Sequence, residues 1–213
     1  MSVLTATGAG VRHRRRWLVQ DLDLRVEPGE LVAVTGPPGS GRTSALLALT
    51  RRLRLSAGTV EIVGTASLGH VPDVEEPEPV FTVAEHITER LALLGRTRGE
   101  DVPLHGLDPG LRGRDLTPYQ KQVLGLVLAC MERPSVIALD GVDAGLDAAE
   151  RAALWELLGE IAASGVAVLL TAREVDPADV DRIVLLNDPQ TDEPGLTTVR
   201  MGGLEKGDRK CGA

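Results

Sequence analysis

Between Leu31 and Leu49 the chain reads LVAVTGPPGSGRTSALLAL, and few folds can absorb such a stretch. An apolar, β-branched run (Leu31, Val32, Ala33, Val34) ends in Gly36-Pro37-Pro38-Gly39-Ser40-Gly41-Arg42-Thr43-Ser44, and Leu46, Leu47 and Leu49 then recur at helical spacing. The order is strand, glycine loop, helix. The phosphate-binding pattern G-x-x-x-x-G-K-[ST] is met at every fixed position except its lysine, which here is Arg42. Gly36, Gly39 and Gly41 let the backbone adopt conformations that a Cβ would block, so that successive N–H groups converge on a phosphate at a helix N-terminus. The hydroxyl of Thr43 is placed for Mg²⁺. All nine residues from Gly36 to Ser44 are candidate nucleotide contacts. A glycine-rich turn in some other α/β protein is the plain alternative, and the rest of the chain has to decide.

With 213 residues, 43% of them hydrophobic, the chain can bury the core of one sizeable α/β domain and too little for two large ones. A net charge of -8 gives no global basic footprint, and 2% aromatics leave few rings for base stacking, so nucleic acid is not an expected partner. Cys130 and Cys211 form neither a disulfide framework nor a metal-ligand spacing, which suits a reducing cytosol. The N-terminus has no continuous apolar signal region and no run is long enough to span a bilayer; the expectation is a chain that neither crosses a membrane nor is exported by an ordinary signal peptide.

In chain order, a basic cluster from Arg12 to Arg16 precedes Trp17 and the alternating strand Leu22 to Val26; it reads as a solvated hairpin or as a positive edge near a nucleotide. Short strands are expected over Gly58 to Gly64 and from Ser67 towards Asp73, followed by the stiff acidic connector Glu75 to Pro79. Thr82 and Glu85 have capping-box spacing and open a helix through about Leu94. Gly95 to Arg114, rich in Gly, Pro and charge, is the least ordered-looking part. Thr117, Pro118 and Gln120 start a second helix, Ser135 to Asp140 is a buried strand ending in a carboxylate, and Asp147 with Glu150 caps another helix. Two further apolar strands, Val166 to Leu170 and Ile183 to Leu186, complete an alternating α/β pattern, and the polar residues after Asp188 are expected to fray.

A phosphate loop, a helical stretch and an apolar strand ending in Asp140 follow the order of P-loop ATPases. With Leu116-Thr-Pro-Tyr-Gln120 before that strand, Gly145-Leu-Asp147 after it and Asp181-Arg-Ile-Val-Leu185 near the end, the chain resembles the ATP-binding subunit of ABC transporters from about Val11 to Asn187. The resemblance implies a P-loop NTPase core sheet with flanking helices, an N-terminal antiparallel β part and a short helical subdomain. Residues 1–213 would form one nucleotide-binding domain, with the core over about 1–73 and 132–187, a helical insert over about 74–131 and a frayed tail over about 188–213. It also implies ATP and Mg²⁺ as cofactors, Thr43, Asp140 and Asp73 as metal-side residues, and His13, or else Trp17, against the base. The implied partners are a transmembrane permease subunit and a second ATP-binding subunit, as a homo- or heterodimer, at the inner face of the cell membrane.

The departures from that family are chemical. Its phosphate-loop lysine is Arg42, its glutamine that joins metal and water falls on Asp73, its signature glycines are Pro118 and Tyr119, its catalytic glutamate is Gly141 and its switch histidine is Ala172. A guanidinium keeps the charge of lysine but needs different room. Gly141 and Ala172 offer no side chain to the lytic water or the γ-phosphate, and phosphoryl transfer depends almost wholly on positioning and electrostatics, so no residue is left in a catalytic role. Taken singly, Asp73 reads more readily as a loop-solvating carboxylate than as a ligand, and Asp143 as a turn residue than as a displaced base. Three readings follow: a hydrolysis-impaired transporter subunit, a scaffold or regulatory protein that keeps the fold without nucleotide, or a small P-loop kinase with its acceptor site in Gly95 to Arg114.

Overall fold

The computed structural model describes residues 1–96 and 101–187, and the backbone of 198–201. The basic cluster forms a hairpin: β1 (Leu4–His13) pairs antiparallel with β2 (Arg16–Val26), and Arg14 and Arg15 turn the chain in the left-handed region, at φ 45° and 70°. The chain continues through β3 (Leu31–Thr35), α1 (Arg42–Leu49), β4 (Ala57–Ile62), β5 (Ala66–Leu68), α2 (Val83–Leu93) and α3 (Pro118–Met131). It ends with β6 (Val136–Leu139), α4 (Ala148–Ala163), β7 (Ala167–Thr171), β8 (Arg182–Leu185) and β9 (Thr198–Met201).

Two sheets result. One is antiparallel, in the order β2-β1-β4, and the other runs β5-β6-β7-β3-β8-β9, parallel except for β9. β3, β6 and β7 are buried along their whole length, as expected for strands covered on both faces. Their side chains alternate between two cores. Ala33, Ile137, Leu139, Val168 and Leu170 pack towards α3 and α4, while Val32, Val34, Val136, Ala138 and Leu169 pack towards α1 and the antiparallel sheet. β8 is pinned at its start, where Leu31 N–H donates to Asp181 Oδ2 and Asp181 N–H returns to Leu31 O, both at 2.9 Å.

The three capping boxes expected from sequence all form, at Thr82/Glu85, Thr117/Gln120 and Asp147/Glu150, and Pro118 occupies the first turn of α3. Two expectations do not hold. The segment expected to be least ordered lies in part outside the described residues, at 97–100, but beyond it the backbone is tied to the start of α2: Val83 N–H donates to Leu111 O at 2.9 Å and Gly113 N–H to Phe81 O at 2.9 Å. Composition could not show these long-range bonds. The tail is likewise not uniformly frayed, because Thr198–Met201 pairs antiparallel with β8; residues 188–197 and 202–213 lie outside the described residues. No described helix is long and apolar enough to cross a membrane.

Candidate functional site

Three of the described α-helices close their own N-termini with side chains, and α1 does not. Its cap is Gly41, at φ 88°, with no side-chain cap hydrogen bond and no acidic residue in the first turn. The first-turn amides therefore have no partner within the helix, and the macrodipole meets them unopposed. Ala45 N–H is the first to bond back, to Gly41 O at 2.8 Å. Glycine is required at position 41 because β2 crosses directly beneath the loop: a Cβ there would lie 2.1 Å from Leu18 O. Inside the loop, Ser40 N–H bonds Pro37 O at 3.1 Å, while Ser40 Oγ is buried with no partner among the described residues. An orphaned hydroxyl beside unpaired amides fits an anionic oxygen.

The metal side is built around Asp140, which ends β6 and is nearly buried. Thr43 Oγ1 donates to Asp140 Oδ2 at 2.8 Å, so the loop and the strand end meet as the sequence implied. Thr171 Oγ1 donates to Asp140 Oδ1 and accepts Gly141 N–H at 2.8 Å. One carboxylate and one hydroxyl suit Mg²⁺, which takes most of its oxygens from phosphate and water. The residues present fit that ion. Asp73 is exposed, at φ 62° in the turn after Val71, and bonds neither Thr43 nor Asp140.

The remaining candidates have distinct places. Arg42 is partly buried and its Nη1 donates to Ala172 O at 2.9 Å, at the end of β7. β2 touches the loop at Leu18, one residue from Trp17, whose ring lies 5.7 Å from the Arg12 guanidinium. His13 stands exposed at the end of β1, paired across the hairpin with Arg16. Asp143 lies in the turn after Asp140, and its Oδ2 accepts Arg173 N–H from beyond β7 at 3.0 Å. Gly141 adopts φ 61° and Ala172 is buried, so the positions where the resemblance places water-activating and γ-phosphate groups carry no functional side chain.

Three residues that the motif reading did not single out complete the site. Thr171 braces the Asp140 carboxylate; His70 O accepts Asp140 N–H at 3.0 Å; Gln122 Nε2 donates to Asp140 O at 3.1 Å. His70 is buried, and burial holds its imidazole below the ordinary range against the opposing charge of Glu76. A polar residue bordering an apolar run, after it for Thr171 and before it for Gln122, was the only available sign of either.

A glycine phosphate loop between a buried parallel strand and an open helix start, with a strand-end aspartate against its threonine, defines a P-loop nucleotide-binding domain. The ABC transporter family model matches residues 19–143, more than half of the chain. The chain belongs to the ABC transporter family, as an ATP-binding subunit. It is 32% identical over 194 residues to an aliphatic sulfonates import ATP-binding protein of Rhodococcus jostii (strain RHA1), covering 87% of this chain and 79% of that one. A zinc import ATP-binding protein of Ruegeria sp. (strain TM1040) is 29% identical, with 88% and 78% covered. Among solved structures, an inward-facing putative metal-chelate type ABC transporter aligns with a TM-score of 0.74 at 17% identity, over 95% of this chain and 84% of that one. A dimeric ATP-binding cassette in a post-hydrolysis state with ADP and Pi aligns with a TM-score of 0.73 at 18% identity, over 93% and 98%. These two likenesses concern the fold.

Proposed function

We propose that this chain is the nucleotide-binding subunit of an ABC importer, that it binds Mg-ATP weakly, and that it turns ATP over poorly. The carrying observation is the Thr43–Asp140 contact at 2.8 Å beside the uncapped start of α1, which sets a metal-binding pair against unpaired amides. Poor turnover is argued from Gly141 and Ala172: no carboxylate directly follows Asp140 to orient water, and Ala172, just after β7, has no polar side chain to offer a γ-phosphate. The importer reading rests on the zinc and sulfonate import relatives.

The partners we propose are a membrane permease and a second ATP-binding subunit, with this chain peripheral on the inner face of the membrane. Val74 and Val80, which flank the acidic connector, and Leu93 of α2, within a helical insert over about 74–131, are exposed, the last at 76%, and are the apolar side chains this part of the chain offers such a partner. Calorimetric titration of the purified chain with Mg-ATP tests the reading. Saturable binding that weakens on Asp140→Asn is the expected result. No heat and no thermal shift at millimolar Mg-ATP would remove it and favour a scaffold, since a ligand at a hundred times its Kd adds about 2.7 kcal/mol of stability.

A further inference from the structure

Asp140 is held at four points. Thr43 and Thr171 take its carboxylate, His70 O takes its N–H, and its carbonyl receives Gln122 Nε2 from the second turn of α3. Gln122 is only 3% exposed, and its Oε1 has no partner among the described residues. A buried amide with one end unsatisfied costs stability, whereas the apolar residues beside it, Val123 and Leu124, carry no such penalty. The bond to Asp140 is what glutamine adds at this position.

The same helix reaches the strand end a second way. A Cβ on Gly145 would lie 3.1 Å from Pro118 Cγ, so the loop after Asp140 packs against the first turn of α3. α3 is itself pressed onto the backbone that carries His70: a Cβ on Gly125 would lie 2.3 Å from His70 N. The start of α3, the His70 segment and the residues from Asp140 to Gly145 therefore form one closely packed unit. Thr117 and Pro118, at the outer end of this unit, are exposed.

We propose that Gln122 is a positioning residue, which holds the backbone of Asp140 so that its carboxylate faces the metal, and through which the exposed start of α3 acts on the metal side of the site. The inference rests on the Mg-ATP reading above and adds to it a residue that touches neither metal nor phosphate. Ligands held by outer hydrogen bonds lose affinity when those bonds go, and loss of this one should weaken Mg²⁺ binding by about tenfold.

The experiment compares Gln122→Met, which keeps the volume, and Gln122→Asn, which keeps the amide but cannot span the distance, with Val123→Ala as a core substitution that does not touch Asp140. Nucleotide affinity is measured by calorimetry with Mg²⁺ and with EDTA. The expected result is a loss of about tenfold in Mg²⁺ affinity for both Gln122 variants, unchanged affinity in EDTA, and no such split for Val123→Ala. A second readout needs no nucleotide: amide exchange at Asp140 and Gly141, followed by NMR, should quicken in the Gln122 variants relative to β7 and in Val123→Ala only in step with β7. If the parent chain binds no nucleotide, the functional reading fails and the exchange pattern alone decides this one. Unchanged Mg²⁺ dependence in the Gln122 variants, or exchange at Asp140 and Gly141 that merely follows global stability, overturns the role of Gln122.

Discussion

Arg42 Nη1 donates to the carbonyl oxygen of Ala172 at 2.9 Å, bridging the first turn of α1 and the end of β7 across the mouth of the site. The charge that the family pattern places against phosphate is here also a tether between two walls. Part of the guanidinium is committed to the protein, and the rest remains for a ligand. Arg42→Ala should weaken Mg-ATP binding by about tenfold, roughly 1.4 kcal/mol, the lower end of what a hydrogen bond to a charged group contributes. Calorimetry measures it; an unchanged Kd would mean that the guanidinium serves the fold alone.

Thr171 satisfies two groups with one hydroxyl, the Asp140 carboxylate and the Gly141 amide. Thr171→Val keeps the shape and leaves both without that partner. The expected cost is about 1–3 kcal/mol, read as a thermal midpoint lower by about 2–4 °C for each kcal/mol, together with a weaker response to Mg²⁺. A midpoint equal to that of the parent chain would show that water replaces the hydroxyl without loss.

Restoring a carboxylate after Asp140 should not restore an enzyme. At Gly141 a Cβ meets nothing closer than Ala144 Cβ at 3.8 Å, so the first carbon of Gly141→Glu fits, but φ 61° strains any L side chain by about 1–2 kcal/mol. The new carboxylate would still face Ala172 and an Arg42 turned to the backbone, and catalytic groups that act as a unit are far from additive. Phosphate release should stay near the parent level. A rise of a hundredfold would show that the glutamate alone was missing.

The scaffold could be read from sequence where the signal was local. The capping pairs Thr82/Glu85, Thr117/Gln120 and Asp147/Glu150, the loop Gly36 to Ser44 and the strand ending in Asp140 all depend on spacing within one element, and all are present. What could not be read depends on contacts between distant segments. Thr171 lies 31 residues from Asp140 and Gln122 lies 18 away, and no spacing rule links either to a metal side. Asp73 shows the reverse limit: correspondence to a family position gave it a role, but the left-handed turn leaves it exposed and unbonded to Thr43 and Asp140.

Acid should act through His70. Burial lowers its folded-state value below the ordinary imidazole range, with Lys121 in the same sense and Glu76 and Asp140 opposing. Between that lowered value and the unfolded value near about 6.5 the unfolded chain binds more protons, so stability falls as pH falls through this window and is untouched above it. Urea midpoints should therefore decline on going from about pH 7 to about pH 5.5, and the decline should be shallower in His70→Gln. Parallel curves for the two proteins would assign the slope to carboxylates instead.

The start of α3 bears on the pairing proposed above. Thr117 N–H is taken by Gln120 Oε1 at 2.9 Å, Gln120 N–H by Thr117 Oγ1 at 3.2 Å, and Pro118 has no N–H to give, so most donors at this helix end are spent before any phosphate arrives. The family resemblance puts the same turn opposite a partner's nucleotide, where open amides would be needed. Its exposed surface here offers a pyrrolidine instead, held against Gly145, while Tyr119 is half-buried against the core beneath α3. Nucleotide-driven pairing should accordingly be weak. Replacing Pro118 and Tyr119 by glycine frees one amide and removes two obstructions but leaves the Thr117/Gln120 box closed. In a complex reconstituted with a partner ATP-binding subunit, this double variant should change ATP turnover by less than about tenfold, equivalent to roughly 1.4 kcal/mol of barrier. A larger rise would mean that the box opens when a phosphate approaches and that α3 faces the partner's nucleotide after all.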